Sequence, residues 1–159
     1  MGQAGVRAEG LSFKSLHLAQ GVEIVDGSLT MTNCMSTASV DYHSSVRVLD
    51  DTSLVMEDCL IFGSRYGSGT DCRGNIKATR CTFEDNALDL GSGDRAGTAD
   101  LVNCTIKSNG EDGIYIHGRP SIPLTGCTVS DNGEQGVCAV GGAKVIVKDS
   151  ISKGLGDAR

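Results

Sequence analysis

The chain has 159 residues, 39% of them apolar and 21% charged, with a net charge of −6. The length fits one domain, the apolar share is too high for a disordered chain, and no apolar run is long enough to insert into a bilayer. Its Lys and Arg are scattered, which excludes nucleic acid and anionic membrane as main partners, since both require clustered cations. Twenty-two glycines with only two prolines suit a chain that turns often between hydrogen-bonded strands.

Taken in chain order, residues 1–9 are Gly-rich and too short for a helical cap, and no charged region followed by an apolar stretch marks a secretory leader. The first landmark is Gly10, in Glu9-Gly10-Leu11-Ser12-Phe13; 24 residues later stands Cys34. Cys59, Cys81, Cys104 and Cys127 follow at steps of 25, 22, 23 and 23, and a further 23 reaches Ser150. Such a period is read before anything else, because it decides the architecture. It divides a single domain, 1–159, into coils 10–33, 34–58, 59–80, 81–103, 104–126 and 127–149, with a partial coil over 150–159.

Within a coil three short strands are expected. Five and three residues before the landmark stand Leu29/Met31, Leu54/Met56, Ile76/Ala78, Ala99/Leu101, Ile122/Leu124 and Val145/Val147. This period of two is that of a strand with alternate residues inward. The landmark and the position two beyond it (Ser36, Ile61, Phe83, Ile106, Val129, Ser152) make a second inward pair; the parity shift places a bend just before the Cys. A third inward pair follows as Val22/Ile24, Val46/Val48, Thr70/Cys72, Leu88/Leu90, Ile114/Ile116 and Val137/Ala139. Three strands per repeat exclude leucine-rich repeats, and the period of two excludes helical repeats. The fold expected is all-β: a right-handed parallel β-helix of about 6–7 coils of ~23 residues, with rungs about 4.8 Å apart.

The segments Leu101-Val-Asn-Cys-Thr-Ile-Lys-Ser-Asn109-Gly-Glu-Asp-Gly-Ile-Tyr-Ile116 and Leu124-Thr-Gly-Cys-Thr-Val-Ser-Asp-Asn132-Gly-Glu-Gln-Gly-Val137 resemble the parallel β-helix repeat of the pectin-lyase-like superfamily. The resemblance runs from Gly10 to about Gly154 and is strongest over 76–154. It implies the fold. It does not fix an activity, because the repeat serves polysaccharide lyases, glycoside hydrolases, epimerases and the recognition parts of some ubiquitin-ligase subunits.

Cys34, Cys59, Cys81, Cys104 and Cys127 read as a buried ladder of small side chains at one corner, since parallel in-register Cβ vectors do not converge as a disulfide requires. Ser150 and Gly10, taken to stand at the same place, agree with a demand for small size. Thiols without pairing partners favour a reducing compartment, cytosol or organelle interior, over secretion. No Cys-x-x-Cys and no His pair at ligand spacing is present, so neither a metal nor another cofactor is expected. Asn86, Asn109 and Asn132, each five after a Cys, read as a turn ladder in which Asn takes left-handed backbone and bonds up the stack.

In the superfamily catalysis sits on one outer strand face and its adjoining loops. The outward positions of the third strand are Glu23, Arg47, Asp71, Asp89, Tyr115 and Cys138, then Val25, Leu49, Arg73, Gly91, His117 and Val140. Beside them lie the longest loops, Gly63–Gly69, Gly91–Thr98 and Gly118–Ser121. The candidate patch is therefore Arg73, Asp89, Asp94, Arg95, Tyr115, His117 and Arg119. In a lyase, His117, Tyr115 or Arg119 would serve as base and Arg73 would neutralise a uronate; in a hydrolase, Asp71 and Asp89 would be the two carboxylates, roughly one rung apart. Against this, outward charges on adjacent coils ordinarily pair across the ladder. The polygalacturonase carboxylate motifs and the pectate-lyase calcium clusters are missing from the sequence.

Neither terminal segment reads as a cap, so the expectation is a protein partner at an uncapped solenoid end, or a longer β-helix of which this chain is part. The preferred function is a non-catalytic scaffold or protein-interaction module, with polysaccharide binding or polysaccharide-active chemistry as the alternative.

Overall fold

A computed structural model describes residues 5–15, 21–38, 44–63, 68–85, 87–90 and 97–152. In chain order, β1 (Gly5–Glu9), β2 (Ser12–Ser15) and β3 (Val22–Ile24) form the first coil, and β4 (Ser28–Thr32), β5 (Met35–Ala38) and β6 (Val46–Val48) the second. The third holds β7 (Ser53–Glu57), β8 (Leu60–Phe62) and β9 (Ser68–Cys72); the fourth holds β10 (Asn75–Thr79), β11 (Thr82–Glu84) and β12 (Ala87–Leu90). Next come β13 (Ala99–Val102), β14 (Thr105–Lys107) and β15 (Ile114–Ile116), then β16 (Ser121–Thr125), β17 (Thr128–Ser130) and β18 (Val137–Ala139). A last rung is made by β19 (Lys144–Lys148) and β20 (Ile151–Ser152).

Every third strand pairs in parallel with the one before it. The result is three sheets: β1-β4-β7-β10-β13-β16-β19, β2-β5-β8-β11-β14-β17-β20 and β3-β6-β9-β12-β15-β18. Registers such as Leu54↔Ile76↔Ala99, Ile61↔Phe83↔Ile106 and Leu88↔Ile114↔Val137 place the three inward pairs in columns inside the tube. Phe83, Leu101, Ile106, Ile114 and Ile116 are all fully buried there.

One correction concerns the first coil. Gly5↔Ser28 through Glu9↔Thr32, and then Ser12↔Met35, align Gly10 with Asn33 and Leu11 with Cys34. Gly10 therefore belongs to the bend, not to the cysteine column, and the residue at the thiol position is the half-exposed Leu11. The bend is a single left-handed residue in each coil: Gly10, Asn33, Asp58, Arg80, Asn103, Gly126 and Asp149, with φ between 50° and 63°. Asn and Asp tolerate this region better than most residues. At Gly126 a Cβ would also overlap Oδ1 of Asn103 in the rung below, so glycine is required on two counts.

The bend explains the cysteines. In each coil the carbonyl two residues before the thiol accepts the amide of the left-handed residue one coil earlier, as in Asp58 N to Thr79 O (3.1 Å), Arg80 N to Val102 O (2.9 Å) and Asn103 N to Thr125 O (2.8 Å). The same carbonyl accepts the thiol of its own coil: Cys81 to Thr79 O (3.4 Å), Cys104 to Val102 O and Cys127 to Thr125 O (both 3.5 Å). Most of these thiols also reach a carbonyl of the previous coil, as Cys104 does to Ala78 O (3.4 Å) and Cys127 to Leu101 O (3.3 Å). Ser150 repeats both bonds, to Lys148 O (2.9 Å) and Leu124 O (3.2 Å). From Cys34 to Ser150 the position thus takes a small side chain that also donates, which is why Ser can replace Cys, while Leu11 occupies it on the first rung where it is half-exposed.

Candidate functional site

The connectors that flank the third strand vary most. Leu88 follows Cys81 by 7 residues, whereas Val46 follows Cys34 by 12 (88 − 81 and 46 − 34). The long connector comes afterwards in the same coil, 16 residues from Leu88 to Cys104 (104 − 88). Slack therefore gathers on both sides of the third sheet, while the corner between the first and second sheets keeps its spacing. Where that connector rejoins the first sheet, Gly97 lies on the backbone of Gly74, and an added Cβ would collide with the Gly74 carbonyl.

On this face the pairs Glu23↔Arg47↔Asp71↔Asp89↔Tyr115↔Cys138 form one outward column. Alternation in β3, β6, β9, β12, β15 and β18 points these side chains away from the apolar core. Arg47 bridges two rungs, reaching Glu23 Oε1 at 3.4 Å and Asp71 Oδ2 at 3.2 Å. Arg73 approaches the other oxygen of Asp71 at 3.7 Å. One rung on, His117 Nε2 faces Asp89 Oδ1 at 3.5 Å, and the Tyr115 and His117 rings lie 5.7 Å apart, tilted by 33°. Burial, more than anything else, pushes the Asp89 carboxyl up to about 6; His117 and Arg73 oppose the rise and Asp71 adds to it. Asp89 Oδ1 and Arg73 Nε are both buried without a geometrically formed hydrogen bond.

Of the candidate residues, the fold brings Arg73, Asp89, Tyr115 and His117 together on this face. Arg119 is exposed on the turn two residues beyond His117. Asp94 and Arg95 lie outside the described residues, as does Asn86. The salt bridges add Arg47 and Glu23 to the site; outward position alone does not single them out, because their role follows from which neighbour each one meets.

Two further features lie elsewhere. At the corner between the second and third strands, the left-handed residues are Gly63, Asp85, Ser108 and Asp131. Asn109 and Asn132, which follow Ser108 and Asp131, are therefore not the left-handed residues expected from the sequence. Asn109 does stack on Asn132, donating its amide (3.1 Å) and its Nδ2 (2.9 Å) to Oδ1 of Asn132. Gly63, Asp85, Ser108 and Gly110 line a shallow depression of about 420 Å³ at this corner. All seven cysteines are free. Burial, with Asp71 beside it, pushes Cys72 up to about 12. Cys81 is held above the ordinary thiol range by its hydrogen bonds to Cys104 and Cys59 and by burial. Among the described residues, no group of three or more His, Cys, Asp or Glu is arranged to hold a metal ion.

A family model described as a right handed beta helix region matches residues 20–156. Comparison with curated proteins gives no match.

Proposed function

The chain belongs to the right-handed β-helix family, and from that premise we propose that it is a non-catalytic scaffold or protein-interaction module that engages a protein partner through exposed apolar side chains around Val147. One observation carries this reading. On the last described rung, Val147 is 59% and Ile151 62% exposed, together with Ile146, although Leu101 and Leu124 in the column of Val147 are buried. Exposed apolar side chains grouped in this way are the usual makings of an interface. The charged face supports the same reading: Glu23, Arg47, Asp71 and Arg73 neutralise one another across the ladder instead of presenting an unopposed acid and base. The test is affinity capture of the tagged chain from its native extract, in parallel with Val147→Lys. A stoichiometric protein held by the first and lost by the second supports the reading; equal recovery with both, or none with either, counts against it.

A second reading, saccharide binding at Asp89, Tyr115 and His117, is favoured by the buried carboxyl oxygen of Asp89 and the adjacent aromatic ring. A polysaccharide array would decide it, provided that any binding disappears in both Asp89→Asn and His117→Ala.

A further inference from the structure

We propose a buried site for a soft monovalent metal ion, of the Cu(I) and Ag(I) class, between the second and third coils, with Met31, Cys34, Met56 and Cys59 as its sulfur donors. It stands apart from both the protein-partner reading and the charged outer face.

The donors form one motif used twice. Met-x-x-Cys stands at 31–34 and again at 56–59, whereas the later coils carry Ala78, Leu101, Leu124 and Val147 at the methionine position. The pairing of β4 with β7 sets Met31 beside Met56, and Met35↔Leu60 sets Cys34 beside Cys59 one residue earlier. Met31 is 0% exposed, Met56 1%, and Cys34 and Cys59 3% each, so all four side chains lie inside the tube. Their two columns meet at the left-handed bend residues Asn33 and Asp58. The Cys59 thiol lies 3.6 Å from the Met31 carbonyl oxygen, which puts the thiol column in contact with the methionine column across the rung.

The thiol ladder alone offers sulfurs on one line; the methionines add a second line on the other side of the bend. Successive rungs stand about 4.8 Å apart. That is close to twice a metal–thiolate bond of about 2.3 Å, so one ion fits between sulfurs of successive rungs. Thiolate and thioether are soft donors, which select Cu(I) and disfavour magnesium, calcium and manganese. Binding releases one thiol proton to solvent for each monovalent cation taken up, so the enclosed set stays uncharged and avoids the cost of burying a net charge. The neighbouring columns leave space. In Phe13↔Ser36↔Ile61↔Phe83 the small Ser36 falls on the Met31 rung, with its hydroxyl donating to Ser45 O at 3.0 Å. The methionine pair is itself flanked by Ala8 and Ala78. Met also serves as an adaptable core filler, but Leu101 and Leu124 fill the same position in later coils, so it is ion binding that separates a thioether from Leu here.

The test offers Cu(I), buffered by a competing chelator, to the reduced 159-residue chain. It is offered both to the folded protein and during refolding, because the donors are enclosed. Native mass spectrometry should find one ion retained per chain, and X-ray absorption at the copper edge should show a shell of sulfur only. Met31→Leu and Met56→Leu nearly conserve volume, so circular dichroism should report an intact fold. Each should nevertheless weaken binding by about tenfold or more, the loss that even outer-shell partners of a metal produce. Cys59→Ser should also weaken it, and Cys138→Ser, which removes the one partly accessible thiol, should change nothing. A chain that retains no ion by either route overturns the proposal. So do methionine variants that bind as tightly as the wild type, which would put the ion on thiols alone. Binding that vanishes with Cys138→Ser, or uptake of several ions with no preference for the first, overturns it as well.

Discussion

Leu101 and Val147 stand in the same column, yet the first is fully buried and the second mostly exposed. The same contrast separates the buried Leu54 from the exposed Val6 in the column Val6↔Leu29↔Leu54. In the middle of the solenoid each rung is covered on both sides, whereas Val6 and Val147 on the outermost described rungs are mostly exposed. In a quasi-one-dimensional fold, stability is a sum of rungs and nearest-neighbour interfaces, so the value of a side chain is set by its place in the stack more than by its identity.

That contrast can be broken at several points. The largest effect is expected for Ile106→Ala, which opens a cavity in a fully enclosed layer and should cost about 2–5 kcal/mol in denaturant unfolding. Next is Cys104→Val, which overfills the thiol corner and removes a donor, for about 1–3 kcal/mol. Cys104→Ser, by the precedent of Ser150, should stay within about 1 kcal/mol. A loss with Ser as large as that with Val would refute the donor requirement.

Asp89 tests the outer face. Its carboxyl rises from 3.8 to about 6 on folding, so the folded chain holds the proton more tightly than the unfolded one. The stability from this group is complete below about pH 4 and is lost as pH climbs through 6. Asp89→Asn should remove that loss. Between pH 4 and 7 the wild type should lose stability relative to Asp89→Asn, by about 1 kcal/mol once screening of a 30% exposed side chain is allowed for. Parallel slopes for the two over that range would show that Asp89 is not the titrating group. The smallest effect is expected for Val147→Ala, under about 1 kcal/mol in the isolated chain, because water already reaches most of the side chain. A loss as large as that of Ile106→Ala would mean that something covers the last rung.

The columns were legible in the sequence because inward positions recur by size and polarity: Ile76, Ala99 and Ile122 declare a face whatever their exact contacts. The first coil was misaligned by one residue because Gly10 and Leu11 both break the cysteine pattern, and only the strand pairing Ser12↔Met35 decides between them. Ser150 held the clue that the ladder needs a donor, but size alone accounted for it until the carbonyls were seen. The outer charges were harder. Arg47 lies between Glu23 and Asp71 in one outward column and Arg73 lies two residues beyond Asp71, and only the pairing of β6 with β9 shows that both reach Asp71. Asn109 donates to Asn132 across the rungs, but the left-handed backbone of the turn falls on Ser108 and Asp131, which the recurrence of Asn in the sequence does not show.

The cysteine column has a practical consequence for anyone who follows this molecule unfolding. Six thiols are buried and only Cys138 is partly accessible, and five of the six mark successive coils one by one. An alkylating reagent therefore counts opened coils: each adds one mass increment, and the tagged peptide identifies which coil gave way. The protein carries its own tally of where it frays, with no probe introduced and no residue changed.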